Sequence, residues 1–188
     1  SLVHDDVVDE ASTRRGVETV HSRFNYRVAV LAGDFLFAQA SWHLANLDNL
    51  DVVKLLSRVI MDLADGEVKQ GLFRFDTGQS FETYFEKSYC KTASLIANSA
   101  KAAGVLSGLS EPQLESLYHY GRQLGLAFQV VDDILDFTGS DQQLGKPAAS
   151  DLSSGYLTAP ALYALEERPA LSGLIEREFS GDGDLETA

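Results

Sequence analysis

Two stretches of this chain put carboxylates where they could do chemistry. Residues 4–10 read HDDVVDE and residues 130–137 read VVDDILDF. Each holds three aspartates in the spacing D-D-x-x-D. On an α-helix, residues i and i+4 share a face, about 6 Å apart along the axis. Asp5 and Asp9 would therefore project together, as would Asp132 and Asp136. Asp6 and Asp133 would point roughly 100° away. The residues between are apolar: Val7 and Val8, Ile134 and Leu135. Carboxylates among apolar neighbours are costly unless paired or metal-bound, and like charges one turn apart repel.

A hard divalent cation removes both costs. Mg²⁺ takes oxygen ligands, keeps several waters, and binds one or two carboxylates together with substrate phosphates. Two helices, each offering a carboxylate pair, could hold Mg²⁺ and neutralise a diphosphate. The competing reading, a solvated helix end, suits one such cluster better than two that both sit among apolar residues. An EF-hand does not fit, because its loop requires Gly at position six and Glu at position twelve. Paired carboxylates for glycoside hydrolysis need two groups rather than two triplets.

Cations that would complete a phosphate site accompany the aspartates. Arg14 and Arg15 follow the first cluster, and arginine forks suit phosphate oxygens. Lys91 and Thr92 lie inside an apolar helical stretch. Gln129 precedes Asp132 by three residues, and Lys146 stands in a polar segment with Asp151 five residues on.

The elements that must position these groups read as helices. Residues 26–47 are long and apolar. Residues 50–75 repeat Val52, Leu55, Leu56, Val59, Ile60 and Leu63 at three- and four-residue intervals. Residues 80–108 open on Ser80 with Glu82 close behind and end at glycines. Residues 110–139 open on Ser-Glu-Pro and end at Gly139. Residues 12–23 and 139–155 are polar, interrupted by Gly or Pro, and read as irregular. No alternating strand pattern stands out, so the expected fold is all-α, as a single partial domain over residues 1–188.

Bulk properties narrow the class. Apolar residues make up 45% and charged residues 23%, the balance of a folded globular chain. The net charge of −13 argues against general nucleic-acid binding. No uninterrupted apolar run of membrane-span length is visible, and no signal peptide opens the sequence. The one cysteine, Cys90, has no internal disulfide partner and no evident base beside it, so a nucleophilic role is not expected. His21, His43 and His119 read as packing or surface residues, and His4 as a group that could orient a carboxylate. Phe35 and Trp42 read as core or dimer-interface residues, and residues 94–104 as close helix packing. The opening SLVHDDVV resembles the middle of a helix without a cap, and the end GDGDLETA a helix cut short. The chain thus reads as part of a longer protein.

Taken in order, DDxxD, RRG, AGD (32–34), GEVKQG (66–71), KT, FQVVDDILD (128–136), GKP and SDL resemble the all-trans polyprenyl diphosphate synthases. The resemblance runs over nearly all 188 residues. Several passages are similar to the solanesyl-type long-chain synthases of plastids and cyanobacteria. It implies an isoprenoid-synthase helical bundle around a central cavity, a homodimer, and no transmembrane segment. The implied reaction condenses isopentenyl diphosphate with an allylic diphosphate in trans geometry. The resemblance further implies three Mg²⁺ ions, with Asp5, Asp9 and Asp132 as ligands and Asp136 in or near the next layer. Arg14, Lys91, Gln129 and Lys146 would contact the allylic diphosphate, Arg15 isopentenyl diphosphate, and Thr92 would support the cationic region. Asp5, Asp9, Asp132 and Lys91 would then be catalytic. The compartment would be a bacterial cytoplasm or a plastid stroma.

The sequence departs from the family pattern in two places. A Lys, an Arg and a His of the isopentenyl diphosphate site would precede position 1. A second loop lysine is replaced in SGYLT, where Tyr156 stands. Ser1, small and four residues before Asp5, fits a deep product tunnel. The alternatives are a class I terpene cyclase, whose second motif differs from DDILD, and a regulatory subunit, which tends to lose an aspartate motif.

Overall fold

The computed structural model describes residues 1–139, 149–181 and 183–188, without the side chain of residue 186. The described chain is helical apart from one two-stranded ribbon. It divides into two compact units, residues Ser1–Val53 and Lys54–Ala188, with the boundary inside one helix.

The first unit begins with α1 (Leu2–Val8). Ser1 caps it by accepting a hydrogen bond from the His4 amide at 3.3 Å, where the sequence promised no cap. The stretch expected to be irregular contains a tight hairpin, β1 (Thr13–Arg14) with β2 (Val17–Glu18), in the register Thr13 to Glu18 and Arg14 to Val17. Arg15 and Gly16 form its turn, with φ of 53° and 76°. Positive φ at both central residues marks a type I′ turn, which matches strand twist and favours Asn-Gly. Gly16 suits it and Arg15 does not. Arg15→Asn is therefore expected to stabilise the hairpin, by up to about 1 kcal/mol, because asparagine tolerates the left-handed region. Thermal unfolding measures this, while activity reports separately on the lost guanidinium.

A single helical turn, α2 (Val20–Arg23), leads into α3 (Tyr26–Ala45). Asn25 caps α3, accepting from the Val28 amide at 2.9 Å. Within this unit α3 packs against α1 and α2. His21 is buried and stacks on Tyr26 at 4.9 Å. Helix α3 is long and apolar enough to cross a membrane by length and composition, with a mean hydropathy of 1.2, although it carries Arg27 and Asp34. Phe35 and Trp42 are each 62% exposed on it, so they are not core residues of this chain.

The second unit takes in α4 (Leu50–Leu72) from Lys54 onward, then α5 (Phe81–Ser88), α6 (Ser94–Leu106) and α7 (Glu111–Thr138). Ser80 caps α5, and Ser110 with Gln113 forms a capping box at α7. Val59, Asp62 and Gly66 are the buried positions of α4 here, spaced as one helix face. Helices α6 and α7 form the tightest pair. A Cβ on Gly121 would lie 2.8 Å from the Ala97 Cα, and one on Gly125 would lie 2.5 Å from the Ala93 Cα. The small residues of 94–104 thus serve close packing.

Short helices α8 (Ser150–Ser153), α9 (Ala159–Glu167), α10 (Ser172–Glu176) and α11 (Asp184–Thr187) follow, with a 3₁₀ turn at Pro169–Leu171. Tyr84, Leu152, Leu157, Ala159, Ala161, Leu162 and Ile175 form the core of this unit, flanked by Phe75, Phe81, Val130 and Phe137. The helix expected over 80–108 is present but not uniform. Tyr89–Ala93 is a π-helical turn, and it carries Lys91 and Thr92. Such wide turns recur at functional sites.

Candidate active site

The first aspartate cluster lies at the end of α1. Asp5 is half-buried, Asp6 buried and Asp9 exposed. Asp9 is the C-cap of α1, its amide donating to the Asp5 carbonyl at 2.8 Å. Asp6 receives the Arg14 Nε at 2.6 Å, which ties the hairpin to α1. The side chain of Arg14 remains 37% exposed, so its outer edge stays accessible while its inner edge neutralises Asp6. Arg15 is exposed at the hairpin tip. His4 packs where a side chain on Gly33 would be: a Cβ there would fall 2.2 Å from its Nε2. The same Nε2 lies 3.0 Å from the Val30 carbonyl and 3.5 Å from the Asp34 carboxylate. His4 thereby fixes α1 on α3, one residue before Asp5.

The second cluster lies in the last turns of α7. The sequence reading paired Asp132 with Asp136 and set Asp133 aside. Burial divides them otherwise: Asp133 and Asp136 are each 2% exposed, while Asp132 is exposed. The helical period gives angles between residues but not which face is packed, and the packed face here contains Asp133 and Asp136. Asp136 accepts from Ser150 Oγ at 3.0 Å and the Asp151 amide at 3.1 Å, at the first turn of α8. Its backbone carbonyl also receives the Ala149 amide at 2.8 Å. Asp136 is therefore an anchor for residues 149–151 at the start of α8. Lys146 lies outside the described residues.

Asp133 closes a network across α5, the π turn and α7. Tyr84 Oη donates to its Oδ2 at 2.5 Å, and Gln129 Nε2 donates to its Oδ1 at 2.8 Å. Thr92 Oγ1 in turn donates to Gln129 Oε1 at 2.9 Å. Burial pushes the Asp133 carboxyl above the usual range, against the pull of the Tyr84 and Gln129 hydrogen bonds. Burial, together with the hydrogen bond to Asp133, raises the Tyr84 phenol well above its ordinary value. Gln129 is thus oriented on both sides of its amide and presented beside Asp132 and Asp133.

Lys91 points to α4. Its Nζ lies 3.0 Å from Gln70 Oε1 and 3.1 Å from Glu67 Oε1, so the GEVKQG stretch holds this lysine in place. Cys90 is buried, with its thiol pushed up by desolvation, and a Cβ on Gly66 would lie 3.1 Å from the Cys90 Cβ. That is a structural cysteine, not a nucleophile. Tyr156, in the place of the second loop lysine that the resemblance implies, has the Arg74 guanidinium over its ring at 5.7 Å.

Sequence reasoning missed the roles of Asp6, Tyr84, Asp133, Glu67 and Gln70. Two signals were readable: Tyr84 lies seven residues before Lys91, two turns along one face, and Gln70 belongs to a polar stripe on an apolar helix. Among the described residues, no three His, Cys, Asp or Glu side chains converge to hold a metal by themselves. Mg²⁺ asks for less, one or two carboxylates with phosphate oxygens and water. The exposed carboxylates of Asp9 and Asp132, with half-buried Asp5, are hard oxygen donors of that kind.

Comparison with known proteins shows the family. The polyprenyl synthetase family matches residues 1–188. A prenyl transferase of Synechocystis sp. is 69% identical over 188 residues, all of this chain and 58% of the relative. Solanesyl diphosphate synthase 2, chloroplastic, of Arabidopsis thaliana is 58% identical over the whole chain and 45% of the relative. Among solved structures, heptaprenyl diphosphate synthase of Staphylococcus aureus superposes with a TM-score of 0.94 at 34% identity, covering 99% of this chain and 59% of that one. A polyprenyl synthase of Caulobacter crescentus, complexed with calcium and isoprenyl diphosphate, gives 0.89 at 36% identity, covering 99% and 58%. The chain belongs to the polyprenyl synthetase family. Its fold is the all-α fold of those synthases, and it spans about half the length of the relatives it matches, 45% to 59%.

Proposed function

We propose that the protein containing this chain condenses isopentenyl diphosphate with an allylic diphosphate, in trans geometry, to build a long-chain polyprenyl diphosphate. The observation that carries this is the presentation of Asp132: exposed at the end of α7, while its neighbours Asp133 and Asp136 are locked by protein donors. Family membership over residues 1–188 supports the reading, as does the identity to a solanesyl diphosphate synthase. In this reading residues 1–188 are part of one domain.

Asp5, Asp9 and Asp132 would hold Mg²⁺, taken as three ions, with Asp136 supporting them from the next layer. Bound Mg²⁺ supplies Lewis-acid neutralisation of the diphosphate as it leaves. Lys91, Gln129, Arg14 and Lys146 bind the allylic diphosphate and Arg15 binds isopentenyl diphosphate, through charge-assisted hydrogen bonds. The Glu67 and Gln70 contacts keep Lys91 aimed before substrate arrives, so little reorganisation is needed. The allylic C–O bond breaks and the diphosphate takes the electron pair. The double bond of isopentenyl diphosphate attacks the carbocation to form the new C–C bond. A proton then passes to the departing diphosphate. Thr92, through the Gln129 network, holds the polar rim against which that cation forms. Apolar helix walls exclude the water that would quench it. A homodimer is the proposed assembly, and a bacterial cytoplasm or plastid stroma the proposed compartment.

The test is product analysis of the whole protein with Mg²⁺, labelled isopentenyl diphosphate and geranyl, farnesyl or geranylgeranyl diphosphate. A ladder of elongated products ending at a long polyprenol is expected. Cyclic hydrocarbon without elongation, or no product at all, would overturn the reading.

A further inference from the structure

The side-chain hydrogen bonds that join α5, the π turn and α7 have a fixed direction. Tyr84 Oη donates to Asp133 Oδ2 at 2.5 Å, Gln129 Nε2 donates to Asp133 Oδ1 at 2.8 Å, and Thr92 Oγ1 donates to Gln129 Oε1 at 2.9 Å. Tyr84 and Asp133 are 1% and 2% exposed, while Gln129 and Thr92 are half-buried. A core tyrosine that merely satisfies its hydroxyl needs only the first of these bonds. The other two act on a side chain that the proposed site uses. A primary amide accepts on its oxygen and donates two hydrogens from its nitrogen, and turning it over exchanges the two ends. Its neighbours decide which way it faces.

Here they leave one choice. Both oxygens of Asp133 accept, so Gln129 turns its nitrogen to Asp133 and its oxygen to Thr92. One Nε2 hydrogen is spent on Asp133. The other has no protein acceptor among the described residues, and the half-buried amide can still offer it. The single hydrogen of the Thr92 hydroxyl is spent on Gln129, so Thr92 has none left for a phosphate oxygen. Turned over, the amide would present a lone pair on the Asp133 side, where it now presents a donor. That exchange matters most toward an anion, because hydrogen bonds to ionised acceptors are the strong ones.

We propose that Asp133 and Tyr84 are positioning residues for Gln129. Asp133 dictates which way the amide faces and so reserves one Nε2 hydrogen for a phosphoryl oxygen of the allylic diphosphate. Tyr84 engages the second oxygen of Asp133 and thereby sets which edge of that side chain Gln129 meets. The middle aspartate of the second cluster acts through these hydrogen bonds and not as a metal ligand. The inference rests on the reading of Gln129 as a ligand of that diphosphate.

The experiment uses the whole protein with Asp133→Asn, Tyr84→Phe and both together. In Asp133→Asn the Tyr84 hydroxyl keeps an acceptor by taking the oxygen of the new amide, which turns the new nitrogen toward Gln129. Gln129 must then turn over, and Thr92 becomes an acceptor. Every hydrogen bond is kept and a buried charge is gone, so Tm should not fall. KM for farnesyl diphosphate should nevertheless rise about 10–100-fold, the worth of a hydrogen bond to a charged group, with KM for isopentenyl diphosphate unchanged. Adding Tyr84→Phe frees the new amide to turn back. The farnesyl diphosphate KM should then recover toward its original value, although Tm drops with the lost bond. A merely structural role predicts no such recovery, since activity would follow Tm. If Asp133→Asn does not fold, NMR of the isotope-labelled, otherwise unaltered protein reads the Gln129 amide, identified by its loss in Gln129→Ala. Inorganic pyrophosphate with Mg²⁺ should shift one Nε2 hydrogen and leave the other bonded to Asp133. An unchanged farnesyl diphosphate KM in Asp133→Asn, no recovery in the double variant, or an amide indifferent to pyrophosphate would overturn the proposal. Absence of Mg²⁺-dependent condensation in the unaltered protein would instead sink the functional reading, while the pyrophosphate experiment would still decide how Gln129 is held.

Discussion

Replacing Asp132 by alanine should lower the condensation rate by about 10²–10³-fold, the usual cost of removing one group that stabilises developing charge. Asp132 is exposed, and the packing of α7 against α5 runs through Asp133 and Tyr84 instead. Its removal would take away a proposed metal ligand and leave the Tyr84–Asp133–Gln129 hydrogen bonds intact. Tm should therefore change little, within the roughly ±0.5 kcal/mol typical of surface substitutions. Asp5→Ala should lose activity comparably, with the Asp6–Arg14 pair still joining α1 to the hairpin. Circular dichroism and product counting check both. Retained turnover with intact folding would remove these residues from the site.

The largest stability effect is expected at Gly125. A Cβ there would lie 2.5 Å from the Ala93 Cα and 2.7 Å from the Ala93 Cβ, so the clash is with backbone and a methyl group that cannot rotate away. Overpacking of this kind costs about 1–3 kcal/mol. For a chain of this size that lowers Tm by about 2–12 °C. Activity should fall as well, because Ala93 ends the π turn that carries Lys91 and Thr92, and Gln129 lies one turn beyond Gly125. Gly173→Ala is the contrast. Nothing lies within 4 Å of that Cβ, and the helical position should gain up to about 1 kcal/mol. Thermal melts of the two variants should move in opposite directions.

Much of the helical architecture could be read from residue spacing. Helices α3, α4 and α7 begin within a residue of where their caps and apolar periods put them, and end within three. Ser80 and Ser110 were visible as caps because a Ser followed by Glu or Pro has a local physical meaning. The β1–β2 hairpin was not visible, since two-residue strands are too short to show alternation. Arg15-Gly16 is an unusual I′ pair that no composition rule singles out. The π turn at Tyr89–Ala93 escaped notice because its apolar spacing continues that of a regular helix.

At the candidate site, residue types were legible and partners were not. Arg14 could be picked as a phosphate-seeking cation, but its bond to Asp6 depends on where the hairpin folds back. Lys91 invited a functional reading from its apolar setting, yet Glu67 and Gln70 hold it from another helix. Asp133 looked secondary because relative helical angle was the only available guide. Which aspartate is buried is decided by Tyr84 and Gln129, 49 and 4 residues away in sequence.

In the proposed function both aspartate clusters serve one metal-bound diphosphate. Titration calorimetry of inorganic pyrophosphate into the whole protein tests it most directly, with Mg²⁺ and then with chelator, for the unaltered protein, Asp5→Ala, Asp132→Ala and the double variant. Each single variant should lose at least about tenfold in Mg²⁺-dependent affinity. The double variant should lose no more than the worse single one, because sites that share a ligand are not additive. Losses that sum in the double variant, or pyrophosphate binding indifferent to Mg²⁺, would contradict it.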